Sequence, residues 1–170
     1  KLLQEEKSIV TTVAGTTRDS IDSFLRYNKK DFRIIDTAGL RKKTKISDEI
    51  EFYSTVRTNR IINDCDLAAV LLDAEKGFTN QDRDIIKQII KAGKGLLVVV
   101  NKWDLIRKDM DSLKNFRQDI LDYYPSLSHY PILFISVLHN FRVRSILKKA
   151  LNIYEERQRR VKTTDLNMFI

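Results

Sequence analysis

Asn101-Lys102-Trp103-Asp104 follows directly on the apolar run Leu96 to Val100. A carboxylate at Asp104 can accept two hydrogen bonds, from the N1–H and the exocyclic amine of guanine. Adenine has no hydrogen on N1 and no 2-amino group, so this pairing selects guanine. Buried hydrogen bonds of this kind discriminate by about 10⁴ to 10⁵, because the wrong base leaves polar groups unpaired. Asn101 can fix the loop and reach the base, and the Lys102 stem can cover one face of the ring. Trp103 is read as local packing.

Three further groups have residue types suited to a nucleoside triphosphate. Asp36-Thr37-Ala38-Gly39 follows Phe32 to Ile35. An aspartate there can hold magnesium, usually through water, and a glycine lets its backbone N–H approach a terminal phosphate. Ser136-Val137 follows Ile132 to Ile135, where backbone N–H groups can meet a guanine carbonyl. Gly15-Thr16-Thr17-Arg18-Asp19 offers the Thr17 hydroxyl for magnesium and for ordering around a γ-phosphate. Each has an ordinary rival. Asp36 to Gly39 also reads as a polar turn closing a strand, a serine commonly ends a strand, and Gly15 to Asp19 also reads as a plain glycine turn; Thr16 instead of Thr17 is the other candidate ligand.

Such groups need strands that present them at one edge of a sheet, since ligands of open α/β sheets sit beyond the carboxyl ends of the strands. Leu67 to Asp73, Leu96 to Val100 and Ile132 to Ser136 are nearly continuous apolar runs, as expected of parallel strands covered by helices on both faces. Ile21 to Tyr27 and Phe32 to Asp36 flank the turn Asn28-Lys29-Lys30 and predict an antiparallel hairpin at the sheet edge. Helices are predicted over Glu51 to Asn63, Asn80 to Ala92, Asp111 to Tyr123 and Arg142 to Arg160. In the third, Leu113, Phe116, Ile120 and Tyr123 form the expected buried stripe, and Pro125 stops the helix.

With 170 residues, 42% of them hydrophobic, the chain has the size of one α/β domain. No apolar run approaches the roughly 18 to 20 residues that cross a bilayer, and no signal-peptide layout opens the sequence, so a soluble, cytoplasmic protein without a membrane partner is expected. One cysteine, Cys65, and two histidines, His129 and His139, are too few for a disulfide framework or a zinc site. Cys65 reads as a small core residue. The formal charge of +8 suggests an acidic partner, with basic clusters at Arg41 to Lys45 and Arg157 to Lys162. Those clusters read equally as solvated faces, because no aromatic residues interleave with them.

The order threonine loop, DTAG, NKxD and serine resembles the translation-factor class of small GTPases, and within it the Der (EngA) family of ribosome-assembly GTPases. The resemblance rests on Val13 to Asp19, on Asp36 to Leu40 running into Arg41-Lys42-Lys43, and on Glu51 to Ser54 with Arg57-Thr58. It rests also on Asp73 to Gly77 with Gln81-Asp82, and on Asn101 to Asp104. It is closest to the second GTPase domain of that family. It implies a P-loop GTPase (Ras-like) three-layer α/β fold, with a mostly parallel sheet and one antiparallel edge strand. Residues 1–160 would form the GTPase domain, and 161–170 would open a carboxyl-terminal KH-like domain.

The resemblance further implies GTP and GDP as ligands, Mg2+ at Thr17 and Asp36, K+, Gly39 sensing the phosphate, and a base site of Asn101, Lys102, Asp104, Ser136 and Val137. The implied partners are the large ribosomal subunit and its rRNA, met by a monomer. The match departs in three places. No G-x-x-x-x-G-K-[S/T] occurs, and Gly93-Lys94 cannot serve because it leads into a strand. In the family that loop and its strand would precede Lys1, so either those residues lie upstream or the sheet has a gap at its centre. Val137 stands where alanine is usual, His139-Asn140 where a small residue or glycine is common, and Leu40 cannot orient water as a glutamine would. A binding module docking on RNA through its basic surface, and a GTPase of the Era or tRNA-modifying type, are the alternatives.

Overall fold

The computed structural model describes residues 22–35, 58–106, 111–160 and 167–168. The first described element is a hairpin of β1 (Ser23–Tyr27) and β2 (Lys30–Ile34), antiparallel, with Tyr27 opposite Lys30. Its turn is two residues rather than three. Asn28 and Lys29 both take positive φ, 49° and 63°, as the turn that matches the right-handed twist of two strands requires. Lys30 therefore opens β2 instead of belonging to the turn. Asparagine tolerates this conformation, whereas lysine pays a steric penalty of about 1–2 kcal/mol that glycine avoids. Glycine gives back part of that through its freer unfolded chain. Lys29→Gly should therefore stabilise the hairpin by up to about 1 kcal/mol, read as a higher urea midpoint with an unchanged slope; a lower midpoint would contradict the turn geometry.

The parallel sheet has the order β3 (Leu67–Asp73), β4 (Gly95–Asn101), β5 (Ile132–Phe134). Register is continuous from Leu67 opposite Gly95 to Asp73 opposite Asn101, so two polar residues meet at the carboxyl edge. Every residue from Gly95 to Val100 is buried. Strand alternation sends Leu96, Val98 and Val100 to one face and Leu97 and Val99 to the other. The first face packs against α1 (Asn80–Lys91) and α2 (Ser112–Tyr123) through Ile86, Ile89 and Ile120; the second meets Ile146 and Ile153 of α3 (Ser145–Gln158). Helices thus cover both faces, as an all-parallel sheet demands.

Among the described residues the hairpin forms a two-stranded sheet apart from the parallel one. Among the described residues an ion pair ties it to the helical residues 58–64: Arg33, held by Asp22 beside β1 at 2.7 Å, reaches Asp64 at 2.8 Å. β3 pairs only with β4 among the described residues, and Leu71 on it is 51% exposed.

The helices begin and end where local chemistry dictates. Thr79 caps α1, accepting from the Asp82 N–H while Asp82 accepts from the Thr79 N–H. Gly93, at φ 64°, closes it, and Gly95 opens β4, so Gly93-Lys94 is a helix end as the sequence indicates. The stripe expected along α2 is only half right. Phe116 and Ile120 join the core, but Leu113 and Tyr123 are 41% and 47% exposed. Tyr123 instead stacks edge-on against Phe78 and donates its hydroxyl to Asn80, tying two helix ends together at the surface. Past α2, Pro125 opens a short 3₁₀ turn to His129 that buries Leu127. Cys65 is partly buried, its thiol donates to the Ile62 carbonyl, and burial pushes its pKa up; these are the marks of an inert packing residue. No helix among the described residues is long and apolar enough to cross a membrane.

Candidate guanine-binding site

The carboxyl ends of β3, β4 and β5 converge on one loop cluster. β4 ends at Asn101, whose backbone carbonyl accepts from the Ala74 N–H at 2.9 Å and whose side-chain Oδ1 accepts from the Val137 N–H at 3.0 Å. Next, Lys102 takes a left-handed conformation, φ 64° and ψ 30°, and turns the chain sharply. A β-carbon in that region costs energy, and such strain persists only where surrounding contacts over-determine it. Here the contacts are visible. Trp103 donates its backbone N–H to the Ile135 carbonyl at 3.0 Å, and its ring, 5% exposed, lies 4.5 Å from Phe134 and 5.4 Å from Phe116, centroid to centroid. Trp103 is a core residue, and its anchoring sets Asp104 at the rim.

The Asp104 side chain is 14% exposed, and its Oδ2 lies 3.6 Å from His139 Nε2, an ion pair only when the imidazole carries a proton. Asp104 lines a cleft of about 410 Å³ with Trp103, Ser136, His139, Asn140, Phe141 and Arg142. A partly desolvated carboxylate in a cleft of that size suits the N–H edge of a planar base.

Ser136 is 1% exposed, and β5 stops two residues before it, shorter than the run Ile132 to Ser136 predicted. Ser136 and Phe141 instead exchange backbone hydrogen bonds at 3.1 and 2.9 Å, closing a tight loop, and Ser136 Oγ accepts from the His139 N–H at 3.1 Å. Asn140 takes φ 57°, which explains the departure seen in sequence: the position favours glycine, and asparagine is the residue that best replaces it. Arg142 takes φ 55° as well and lays its guanidinium 4.9 Å from the Phe141 ring centroid.

The structure brings together Asn101, Lys102, Asp104, Ser136 and Val137, as their spacing predicts. It also gives them contacts within the protein. The Ser136 and Val137 amides, expected to face a base carbonyl, donate within the protein to Phe141 and to Asn101. Asn101 is thereby a brace between two loops. Thr17, Asp36 and Gly39 lie outside the described residues, as does the basic cluster Arg41 to Lys45.

Two site residues carried no role in the sequence reading. Lys102 Nζ sits 2.8 Å from Asp73 Oδ2 and 2.8 Å from Glu75 Oε2. Asp73 Oδ1 also accepts from the Glu75 N–H at 3.0 Å. The hydrogen bond from Lys102 lowers the Asp73 pKa, and the two carboxylates raise that of Lys102, Asp73 foremost. Asp73's share of stability is therefore complete above the ordinary aspartate range and disappears as falling pH passes through its depressed folded value. That of Lys102 is complete below the ordinary lysine range and is lost as rising pH passes through its elevated one, so the cluster is intact throughout neutral pH. The advance signals were Asp73 at the end of an apolar run and the Asp73 to Gly77 stretch that carries part of the family resemblance.

The family model described as 50S ribosome-binding GTPase matches residues 1–102. The chain belongs to that GTPase family. Among curated proteins it is 45% identical over 166 residues to GTPase Der of Amoebophilus asiaticus, covering 98% of this chain and 38% of that protein. It is 45% identical over 169 residues to GTPase Der of Chlorobium phaeobacteroides, covering 99% and 39%. The chain thus spans less than two fifths of the length of these Der relatives. Among solved structures, Era with MgGDPNP and a segment of 16S ribosomal RNA matches at a TM-score of 0.64 and 25% identity, over 86% of this chain and 48% of that one. Aquifex aeolicus Era bound to GDP and AlF4− matches at 0.65 and 25%, over the same shares. The P-loop GTPase fold and the likeness to Der expected from the motifs both stand.

Proposed function

We propose that this chain forms the guanine-nucleotide-binding part of a Der-type GTPase, which hydrolyses GTP to GDP and phosphate as a switch in assembly of the large ribosomal subunit. The observation that carries the reading is Asp104, a mostly buried carboxylate in the wall of a base-sized cleft at the mouth of β4. Identity of 45% to Der relatives against 25% to Era favours the Der reading over an Era-like one.

In this reading Asp104 takes the N1–H and 2-amino group of guanine, the Lys102 stem covers a ring face, and Asn101 holds the Ser136-Val137 loop against the base. Magnesium, when bound, neutralises phosphate charge; Thr17 and Asp36 are its proposed ligands, with Gly39 sensing the γ-phosphate. K+ is part of the same proposal. The reading extends to a cytoplasmic monomer whose residues 161–170 open a KH-like domain. The rRNA partner is supported by the formal charge of +8.

Calorimetry on the full-length protein tests the reading. GDP should bind at least about 10³-fold more tightly than ADP, within the range that paired polar groups achieve, and GTP should be turned over to GDP and phosphate. Equal affinity for the two diphosphates would refute it.

A further inference from the structure

Lys102 has to do two things in the base site: adopt a strained left-handed turn, and keep a flexible four-carbon stem extended in one direction. Neither is a property of lysine, whose side chain loses about 2 kcal/mol of rotamer entropy when fixed. The structure supplies a cause for both in the neighbouring strand. Asp73 sits opposite Asn101 in the parallel register, and the Ala74 N–H donates to the Asn101 carbonyl, so the end of β3 is locked to the residue before Lys102. From that platform Asp73 and Glu75 each contact Nζ at 2.8 Å, and the Glu75 N–H orients Asp73 through its other oxygen at 3.0 Å. The backbone behind Lys102 and the ammonium ahead of it are thus both gripped by β3 and its turn, with only the stem between them.

We propose that Asp73 and Glu75 are positioning residues for guanine recognition, fixing the stem of Lys102 and, through its left-handed turn, the placement of Asp104 in the cleft. They touch no ligand atom; their effect passes through Lys102. The proposal rests on the reading of Asp104 as the guanine-binding carboxylate.

Its test compares GDP, IDP and ADP affinity of the full-length protein in five forms: unchanged, Asp73→Asn with Glu75→Gln, Glu75→Gln alone, Lys102→Met, and Lys102→Met combined with the paired carboxylate change. IDP lacks the 2-amino group, so the GDP to IDP ratio reports how well Asp104 is placed. The paired carboxylate change should weaken GDP about tenfold and narrow the GDP to IDP ratio, while Lys102→Met, which keeps the stem but not the ammonium, should do the same. On the Lys102→Met background the carboxylate changes should then add nothing. Glu75→Gln alone, in an exposed turn, should give a smaller loss of the same kind, and this keeps the idea testable if the double change impairs folding.

Full GDP affinity in the carboxylate variants, or an equal loss with and without Lys102, would overturn the proposal. So would a lowered melting temperature with an unaltered GDP to IDP ratio. Failure of the base-reading model is separately visible: the unchanged protein would then not prefer GDP over ADP, and both ideas would fall together.

Discussion

Asp104→Asn should weaken GDP binding between about thirtyfold and several thousandfold, the span expected when one partner of a desolvated charged pairing is lost. The lower end applies if water enters the cleft, the upper if the guanine edge is left facing a carboxamide that presents N–H₂ to its 2-amino group. The same substitution should improve binding of xanthosine diphosphate relative to GDP. Xanthine keeps the N1–H but carries a carbonyl at position 2, so the asparagine oxygen can accept from the first and its nitrogen donate to the second. Calorimetry with both diphosphates reads the two effects together. Unaltered GDP affinity, or a uniform loss for both bases, would mean that Asp104 shapes the loop without reading the base.

Trp103→Ala should cost about 3–5 kcal/mol of stability, the usual range for deleting a large aromatic side chain from a packed core. The ring is 5% exposed and meets Phe134 and Phe116 at 4.5 and 5.4 Å, so its removal opens a void that β5 and α2 would have to collapse to fill. Trp103→Phe should cost less, since part of the contact survives. Urea denaturation followed by circular dichroism gives both values. The outcome also separates two roles for an aromatic residue inside a nucleotide motif. A packing residue lowers the midpoint whether or not nucleotide is present; a base-stacking residue would leave the ligand-free midpoint where it was and remove only the shift that GDP produces.

The strand core was plain in the sequence because burial on both faces of β4 leaves no polar position to blur the pattern, and six residues from Gly95 to Val100 are all buried. Periodicity succeeded less well on α2. A stripe at three- and four-residue spacing says that one side of a helix is apolar, not how many of its turns reach the sheet, and Leu113 lies beyond that reach while Tyr123 is held outside it by Asn80 and Phe78. Asp104 was legible because its chemistry needs only one side chain at the end of a covered strand. The brace from Asn101 to Val137 and the grip of Asp73 and Glu75 on Lys102 were not, since each joins residues 27 to 36 positions apart through strand register that no local pattern encodes. The hairpin turn was one residue shorter than composition suggested, because a lysine at positive φ is not something a propensity scale favours.

At the opposite pole of the sheet, Arg157 donates to the carbonyls of Asp66 and Gly93, both at 2.6 Å, and so fastens α3 to the starts of β3 and β4. Arg33, Lys102 and Arg159 are likewise turned toward acidic groups of the protein itself. The carboxylates in these pairs are already subtracted in the formal charge of +8, so the pairing leaves that excess undiminished and moves it onto the other lysines and arginines. A polyanion docking on this molecule would shed condensed counterions as it meets that excess, and its hold would fade as ionic strength rises.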